Sequence, residues 1–518
     1  MSRAIKRGEA VMPELELSLP GKLVGLWPVF APIAMTIVFI MARIYAGRPV
    51  GFLYCDALVM LALISYISAA VLLVTNLFVK EAILDRLGLI TTAMGFGFNL
   101  SGWMIRWIEA GDKEGWKEGI NGMWRYYPLD NLYALTLGFC AGAAITTLVV
   151  IRKPKYRVLG ALSMPILVVV LSLGMLLGSG INTLPPILDS YWRPIHVTIA
   201  TVGYGVCLVS FGLAFAYLLK DGIRSEAVAI AVALFGLLVF GTIGGGSSVL
   251  FHGEYTVSLY MGKSPLPVRT ELPFLGPLMV VTLLAVLASL ALFVRDHLTR
   301  NENIRRWGWR FFRGAAVLQA LVLVLLFFQL KNVDNPGGHI PERGYPVLSQ
   351  WMSEQAGRAI TPQEAQRWVQ NNSKEVNLSL NSNPVEFGGL IGLFVALLLV
   401  SLFAWKREEV TSALPELKTL DGILYRTVGV AFPLLSLLLI TGAVWANESW
   451  GRYWGWDSKE VGALVAWMAY AGFLHTRIAH GWRGRRSAYF ALLGFALVIF
   501  TWLGVSFIIP GLHSYAGV

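Results

Sequence analysis

Apolar runs of about twenty residues recur from one end of the chain to the other, and this repetition constrains the fold more than any other feature. A helix needs about twenty residues to cross roughly 30 Å of hydrocarbon, so each run predicts a membrane-spanning helix. The composition agrees, because 56% of the residues are hydrophobic, only 14% are charged and the mean hydropathy is +0.62. The sequence therefore predicts an all-α polytopic integral membrane protein. Its thirteen expected spans are residues 23–42, 54–78, 87–105, 132–151, 158–179, 195–219, 226–250, 274–294, 314–330, 387–405, 422–444, 458–476 and 487–509.

The basic residues lie in short clusters between the apolar runs, although the formal net charge is +11. A nucleic-acid-binding protein would gather them into one patch or stripe, so we expect no nucleic-acid partner. When alternate loops are assigned to one side of the membrane, 26 of the 42 Lys and Arg residues fall on that side. Since cytoplasmic loops carry the excess of Lys and Arg, we expect a cytoplasmic N-terminus and an external C-terminus.

The N-terminal 22 residues are charged, contain two prolines and have no small-residue cleavage site. They predict a cytoplasmic tail and not a cleaved signal peptide. The three cysteines fall in separate apolar runs, and no CxxC or CxxCH motif occurs. We therefore expect neither thiol redox chemistry nor a covalently attached haem of the chain's own.

The longest segment outside the apolar runs, residues 331–386, predicts one short helix in irregular surroundings. Thr361 is a suitable N-cap, Pro362 suits the first helical position, and Glu364 three residues after the cap completes a capping box. The flanking stretches NVDNPGGHIPERGYP and NLSLNSNPVE are rich in turn-forming residues. They predict no regular structure.

A tryptophan-rich loop, WANESWGRYWGWDSKE at residues 445–460, precedes the twelfth expected span. It is too polar to cross a bilayer and too aromatic for an ordinary solvated loop, which indicates a flat partner for its rings. Asp457, with Glu460 three residues later, predicts the start of a helix. The positive end of that helix, with Arg452 and Lys459 nearby, would favour anionic groups.

Two of the seven histidines are expected at the same membrane surface as this loop. His196 lies at the external start of the sixth span, and His513 follows the external end of the last. Two neutral imidazoles facing an aromatic platform fit a planar porphyrin, with axial ligation of its iron from both faces and ring stacking at its edge. Each histidine taken alone also fits an interfacial side chain that is hydrogen-bonded to backbone or to a lipid headgroup.

His475 differs from these two because it lies about eighteen residues beyond Asp457, roughly 27 Å deeper along the predicted helix. An ionisable group at membrane depth indicates function, here axial ligation of a second haem inside the membrane. The sequence offers no obvious second histidine at that depth. The remaining histidines are expected in solvated loops or in external segments without an assigned role, namely His297, His480, His252 and His339.

The tryptophan-rich loop resembles the WWD signature of the haem-handling cytochrome c assembly proteins, and the whole arrangement is most similar to CcsA, also called ResC, of the System II pathway. The resemblance covers roughly residues 86–220 and 415–518. In chain order, the other stretches that carry it are GMWRYYPLDNLYALTLGF, LPPILDSYWRPIHVTIATVGYG, DGILYRTVGVAFPLLSLLLITGAVWANESW and LGVSFIIPGLHSYAG.

The resemblance implies a role for each residue that matches the family pattern. His196 and His513 become the axial ligands of haem b at the external surface. His475 becomes this chain's half of a second haem site within the membrane. The implied haem platform consists of Trp445, Trp450, Arg452, Tyr453, Trp454, Trp456 and Asp457.

The resemblance also implies a place and a set of partners. The place is the bacterial cytoplasmic membrane, with the outer haem site facing the periplasm. The implied partners are a CcsB- or ResB-like membrane protein that completes the inner haem site, apocytochrome c, haem itself and membrane lipid. With them the chain would act as the haem-binding part of a holocytochrome c synthase with haem lyase-type activity, which presents haem for thioether attachment to CxxCH.

The spacing of the motifs departs from the family. Members reach the tryptophan loop soon after the first histidine segment, whereas about two hundred residues intervene here. Four extra spans fit in that interval, and an even number preserves the sidedness of everything that follows. The expected division is a tail at 1–22, N-terminal membrane helices at 23–85, two parts of the family-like membrane domain at 86–220 and 415–518, and an insertion at 221–414 that includes the external segment 331–386.

Two other functions remain open from the sequence. A transporter of haem or of another planar anion would need only the spans and a path of polar sites. A membrane cytochrome that keeps its haems would normally pair histidines between helices inside the bilayer. Because only one deep histidine is evident, the second of these alternatives fits less well.

Overall fold

The computed structural model describes residues 25–116, 119–181, 186–244, 254–261, 264–331, 345–371, 377–379 and 384–505. Most of these residues are helical. The first seven helices are α1 (Trp27–Ala46), α2 (Cys55–Val79), α3 (Ala82–Glu114), α4 (Leu132–Ile151), α5 (Gly160–Leu176), α6 (Trp192–Lys220) and α7 (Ser225–Gly244). After strands β1 (Glu254–Met261) and β2 (Ser264–Glu271) come α8 (Leu275–Thr299), α9 (Glu302–Lys331), α10 (Tyr345–Ala356), α11 (Pro362–Asn371) and strand β3 (Asn377–Ser379). The last helices are α12 (Pro384–Trp405), α13 (Arg407–Ala413), α14 (Leu417–Trp450), α15 (Ser458–Ala479) and α16 (Arg485–Ile499), which continues as a π-turn at Phe500–Gly504.

Each of the thirteen predicted spans coincides with one long helix. Within the described ranges, eleven helices are long and apolar enough to cross a membrane. The other two expected spans are α3 and α15, whose 33 and 22 residues are long enough but carry more polar residues. The polytopic, helical membrane architecture is thereby confirmed. The side of the membrane on which each end lies stays a prediction.

Small residues let α4 and α6 approach closely, which fixes the helix that carries His196. A Cβ on Gly142 would lie 2.7 Å from the Val202 Cα, and one on Gly205 would lie 2.3 Å from the Ala143 nitrogen. Any larger residue would force the two backbones apart, as in other small-residue interfaces between membrane helices. Helix α14 also packs along α6. The start of α6 is therefore held between α4 and α14.

The long helices divide into two sets by their buried side chains. One core joins α1 to α6 with α14 to α16. The other core is formed by α7, α8, α9 and α12. The two sets meet where α12 packs on α5, since a Cβ on Gly388 would lie only 2.6 Å from Leu173 Cδ1. The second set covers the helices of the interval expected to be an insertion.

The segments between the membrane helices also contain a small antiparallel sheet, with strand order β2-β1-β3. Glu254 pairs with Glu271 at one end of the β1-β2 hairpin, and Ser258 pairs with Ser379 across the β1-β3 edge. The prediction that NLSLNSNPVE is irregular is wrong for its last three residues, which begin α12, and for its first three. They form β3 because the edge of β1 offers unpaired backbone groups that a neighbouring segment can satisfy.

Helix α11 begins where its capping signature predicts. The Thr361 N–H donates to Glu364 Oε2 at 2.9 Å, and the Glu364 N–H donates to Thr361 Oγ1 at 3.2 Å. The first of these bonds holds the pKa of the Glu364 carboxyl below its ordinary value. Helix α10, which the sequence analysis did not predict, packs on α11 through buried side chains that include Tyr345 and Val369. The two helices form a small unit with its own apolar core.

Candidate functional site

A deep cleft lies where the start of α6, the end of α14 and the start of α15 meet. It encloses about 1230 Å³, including the part that is open to the outside. Most of its wall is apolar or aromatic. The residues that line it and are used below are Asp130, Phe139, Arg193, His196, Tyr204, Gly442, Trp445, Trp450, Tyr453, Trp454, Lys459, Glu460 and Trp502.

His196 lines the cleft from the first turns of α6 and is half-buried. Its Nδ1 lies 3.0 Å from the Leu438 carbonyl oxygen and 3.3 Å from Thr441 Oγ1, both on α14. A carbonyl oxygen only accepts, so Nδ1 carries the proton and donates. This fixes the tautomer whose Nε2 holds the lone pair, which is the arrangement that orients a histidine as a metal ligand.

Gly442 makes room for the His196 ring. A Cβ at this position would lie 2.7 Å from His196 Cε1 and 3.1 Å from Nδ1, closer than side chains tolerate. One turn later on α14, the Trp445 ring lies 5.7 Å from the imidazole with a 39° angle between planes. The imidazole is therefore held by a backbone acceptor, a glycine and an indole.

The tryptophan-rich loop is folded by its own backbone and by the start of α15. Helix α14 ends at Trp450, and Gly451 follows in the left-handed conformation with φ of 70°. Asp457 caps α15, and Glu460 Oε2 accepts from the N–H groups of Gly455 at 2.8 Å and Asp457 at 3.1 Å. The capping box predicted from the sequence is present, and it turns the loop back over the cleft.

The loop residues predicted as a haem platform divide into two groups. Trp445, Trp450, Tyr453 and Trp454 line the cleft together with His196. The other three do not line it. Trp456 is 73% exposed with a left-handed φ of 56°, Asp457 is the buried cap, and Arg452 lies over Gly455.

Two cations and two carboxylates line the same cleft, and each carboxylate already has donors. Asp130 accepts from Arg106 Nη2 at 3.1 Å, and Glu460 accepts from the loop N–H groups. Arg193 Nη2 donates to the Arg125 carbonyl at 3.0 Å, which positions the guanidinium. Lys459 lies in the first turn of α15, at the end of the helix where the dipole favours an anion. The cleft therefore combines an apolar and aromatic wall with charged side chains of both signs.

Arg106 supports the side of the cleft that carries Asp130. This guanidinium is 1% exposed and donates to the carbonyls of Ser179 at 2.6 Å and Gly180 at 2.8 Å as well as to Asp130. Its Cζ lies 5.1 Å from the Tyr133 ring centroid. A buried charge of this kind is stable only when it is paired and hydrogen-bonded, as it is here.

The sequence analysis missed several aromatic residues of the cleft. Trp502 meets Phe139 edge-on at 5.1 Å, and Phe139 meets Tyr204 at 6.2 Å. Each lies in an apolar span, where an aromatic side chain normally belongs to the core. No signal in the sequence separates them from ordinary core residues. Their contribution follows only from the meeting of α4, α6 and α16.

His475, predicted as a ligand inside the membrane, does not line the cleft. His475 is near the far end of α15, is exposed on the surface of the bundle, and has its ring centroid 5.6 Å from that of His480. His480 had been assigned to solvent, and it is indeed exposed. His513, His252 and His339 lie outside the described residues.

The chain is similar to known proteins in the region of this cleft. A family model described as cytochrome C assembly protein matches residues 384–513, which include α14, α15, α16 and the tryptophan-rich loop. The cytochrome c biogenesis protein CcsA of Guillardia theta is 56% identical over 99 residues, 19% of this chain and 33% of the relative. The CcsA of Mesostigma viride is 42% identical over 143 residues (28% and 44%), and that of Crocosphaera subtropica is 36% identical over 207 residues (39% and 55%). The matches thus span between a third and just over half of the length of these relatives.

Proposed function

We propose that this multi-pass membrane protein, whose residues 384–513 match the cytochrome C assembly protein model and which is similar to CcsA, binds haem b in the cleft and presents it for attachment to apocytochrome c. The proposal concerns the haem-handling step of cytochrome c biogenesis. It places the cleft on the periplasmic face of a bacterial cytoplasmic membrane. A CcsB-like partner and an apocytochrome with a CxxCH motif complete the reaction.

The observation that carries the proposal is the setting of His196. Its Nδ1 is committed to the Leu438 carbonyl oxygen, so Nε2 is the atom that can ligate iron. Trp445, Trp450 and Trp454 surround the same cleft and suit the faces and edge of a flat aromatic macrocycle. Axial histidine and aromatic walls in one cavity are the features that a haem requires.

The charged residues of the cleft fit the two carboxylates of haem. Arg193 and Lys459 contribute positive charge, whereas Asp130 and Glu460 are engaged by Arg106 and by loop N–H groups. The first turn of α15 adds its dipole in the same sense. These groups would orient the cargo, while the aromatic residues exclude water from it.

Haem supplies the two vinyl groups to which the cysteine S–H groups of a CxxCH peptide add, with no net gain or loss of electrons. The residues of this chain hold and orient the cargo during that addition. His513 is proposed as the second axial ligand, and His475 as a ligand of a second haem shared with the partner. A ligand at the external site would later be exchanged for the histidine of the cytochrome.

The experiment is a haem titration of the purified full-length chain, followed by its absorption spectrum. We expect His196→Ala to weaken binding at least roughly tenfold, because even indirect partners of a metal ligand are worth that much. His297→Ala removes an exposed histidine from the far end of α8 and is the matched control. Equal spectra and affinities for the wild type and His196→Ala would refute the assignment. A chain that moves haem across vesicles without a partner, yet matures no reporter cytochrome beside a CcsB-like protein, would favour a transporter.

A further inference from the structure

A second cleft lies between α4 and α14 at the end of the bundle opposite the haem cleft. Its empty space is about 1010 Å³, including the part that is open to the outside. Arg426 marks its position, roughly 16 residues or about 24 Å along α14 from Gly442. We call it the basic cleft, and the residues that line it are Ile145, Thr146, Val149, Val150, Arg152, Lys153, Tyr156, Val206, Ile423, Arg426, Thr427 and Val430.

The positive charge of the basic cleft is not balanced by its own lining. Arg152, Lys153 and Arg426 contribute three cations, and the lining residues include no Asp or Glu. Three other arginines near this end of the bundle each have a carboxylate partner. These pairs are Arg157 with Asp85 at 2.7 Å, Arg485 with Asp221 at 2.7 Å, and Arg477 with Asp421 at 2.8 Å. The basic cleft therefore attracts an anion from outside the chain.

Apart from Tyr156 and two threonines, the rest of the wall is aliphatic. The hydroxyls of Thr146 and Thr427 donate to carbonyls of their own helices, at 2.7 and 3.0 Å, so they add little polarity. Val149 and Val430 are 47% and 54% exposed, which means that the cleft opens sideways toward the surroundings of the bundle. A ligand can thus enter from the membrane with an apolar chain along the wall and its charged end among the cations.

We propose that the basic cleft binds one anionic phospholipid, with its phosphate between Arg152, Lys153 and Arg426 and an acyl chain along α4 and α14. Basic pockets between membrane helices are suited to such headgroups. Haem also combines an apolar body with anionic groups. The lining, however, offers no His, Cys or Met for its iron and only one aromatic ring, that of Tyr156. The branched aliphatic wall fits a flexible chain better than a flat ring.

Lipid binding to the full-length chain tests this assignment. The delipidated protein is titrated with phosphatidylglycerol and with phosphatidylcholine, and native mass spectrometry counts the bound lipids. We expect one phosphatidylglycerol to bind roughly tenfold or more tightly than phosphatidylcholine. The test variant combines Arg152→Gln, Lys153→Gln and Arg426→Gln. The control removes the same charge from exposed residues near this end by combining Arg86→Gln, Lys418→Gln and Arg483→Gln.

The test variant should lose the preference for the anionic lipid, and the control should keep it. Val149→Trp fills the space along the wall and leaves the three cations in place, and it should also weaken the binding of phosphatidylglycerol. Equal binding by the test variant and the wild type, or an equal loss in the control, would overturn the proposal. Displacement of the lipid by millimolar inorganic phosphate would show that the cleft takes a free anion instead. Loss of a haem spectrum from the test variant, with His196 intact, would identify haem as the occupant.

Discussion

Helices α14 and α15 are tied by an ion pair at one end and line a cavity at the other, where the tryptophan-rich loop connects them. Near the start of α14, Asp421 accepts from Arg477 Nη1 of α15 at 2.8 Å and from the Gly484 N–H, just before α16, at 3.0 Å. At the opposite end, Gly442 and Ala463 of the same two helices face the proposed haem cleft. The ion pair at one end fixes the two helices relative to each other, and their other ends form part of the wall of the cavity.

The difference also separates two kinds of histidine. His196 is turned into the cleft, and α14 fixes its ring through the Leu438 carbonyl. His475 lies on α15 within two residues of the ion-paired Arg477, and it is exposed on the bundle surface. One histidine is thus held in place by this chain, whereas the other is exposed, as its proposed role at a contact with a partner chain requires.

The largest expected effect on stability comes from the joined end. Asp421→Asn leaves Arg477 without its carboxylate in a site where both side chains are only 11–14% exposed. We expect the free energy of unfolding to fall by about 2–3 kcal/mol, measured as a lower Tm of the detergent-solubilised chain. The haem spectrum should not change, because the cleft lies at the other end of the helices.

Asp221→Asn is the matched control for this change. It removes a carboxylate from the more exposed Arg485–Asp221 pair and should cost less than about 1 kcal/mol. A haem affinity that falls with Asp421→Asn but not with the control would show that the two ends are coupled. The ion pair at one end would then contribute to haem binding at the other, and the two ends would not be separate structural and functional parts.

At the cleft end, Gly442→Ala is the sharpest change. The new Cβ would lie 2.7 Å from His196 Cε1, so the imidazole must leave the position fixed by Leu438. We expect haem affinity to fall roughly tenfold, because misorienting a ligand costs about as much as losing an outer partner of it.

Gly429→Ala is the control on the same helix, since no atom lies within 4 Å of its added Cβ. This variant should bind haem as the wild type does and should be slightly more stable, because Ala favours a helix over Gly. Unchanged binding in both variants would mean that His196 is not the ligand.

The sequence predicted the helices because each is a long apolar run with recognisable ends. It predicted the loop at the cleft because tryptophans in a polar stretch stand out, and the Asp457–Glu460 cap is a local pattern. Trp502 and Phe139 could not be found in this way, because an aromatic residue inside an apolar span resembles any core residue. Cleft residues of that kind are defined by which helices meet.

Long-range packing also explains why Arg193 and the small sheet were not predicted. Arg193 stands in a stretch quoted for its histidine, but its bonds to carbonyls of the 119–126 turn depend on distant packing. The pairing of β1 with β3 joins segments more than one hundred residues apart in the chain, which no local pattern reports. Local signals therefore identified elements and caps, whereas long-range packing decided the cleft's full lining.

Between the two ends, Trp467 of α15 contacts the middle of α14. Its Nε1 donates to Ser436 Oγ at 2.8 Å, and its ring stacks on Phe432 at 5.5 Å. Trp467→Phe keeps a ring for the stack and removes the donor. We therefore expect the free energy of unfolding to fall by about 1 kcal/mol, measured as a lower Tm. Ser436→Ala removes the acceptor and should cost a similar amount, and the double variant should cost less than the sum. Additive losses would show that the bond contributes nothing to holding the helices together.

The smallest expected effect in the isolated chain is that of His475→Ala. The side chain is exposed, so its removal should leave the free energy of unfolding within about 0.5 kcal/mol of the wild type. The haem spectrum of the cleft should also stay unchanged. Beside a CcsB-like partner, the same variant should lose a second haem signal, because the partner would supply the opposite ligand. His480→Ala is the matched control, since its ring lies 5.6 Å from that of His475 and is also exposed. If His480→Ala removes the second signal and His475→Ala does not, the two histidines exchange roles. If neither removes it, the far end of α15 is structural and the cleft around His196 is the only haem site to which this chain contributes from its described residues.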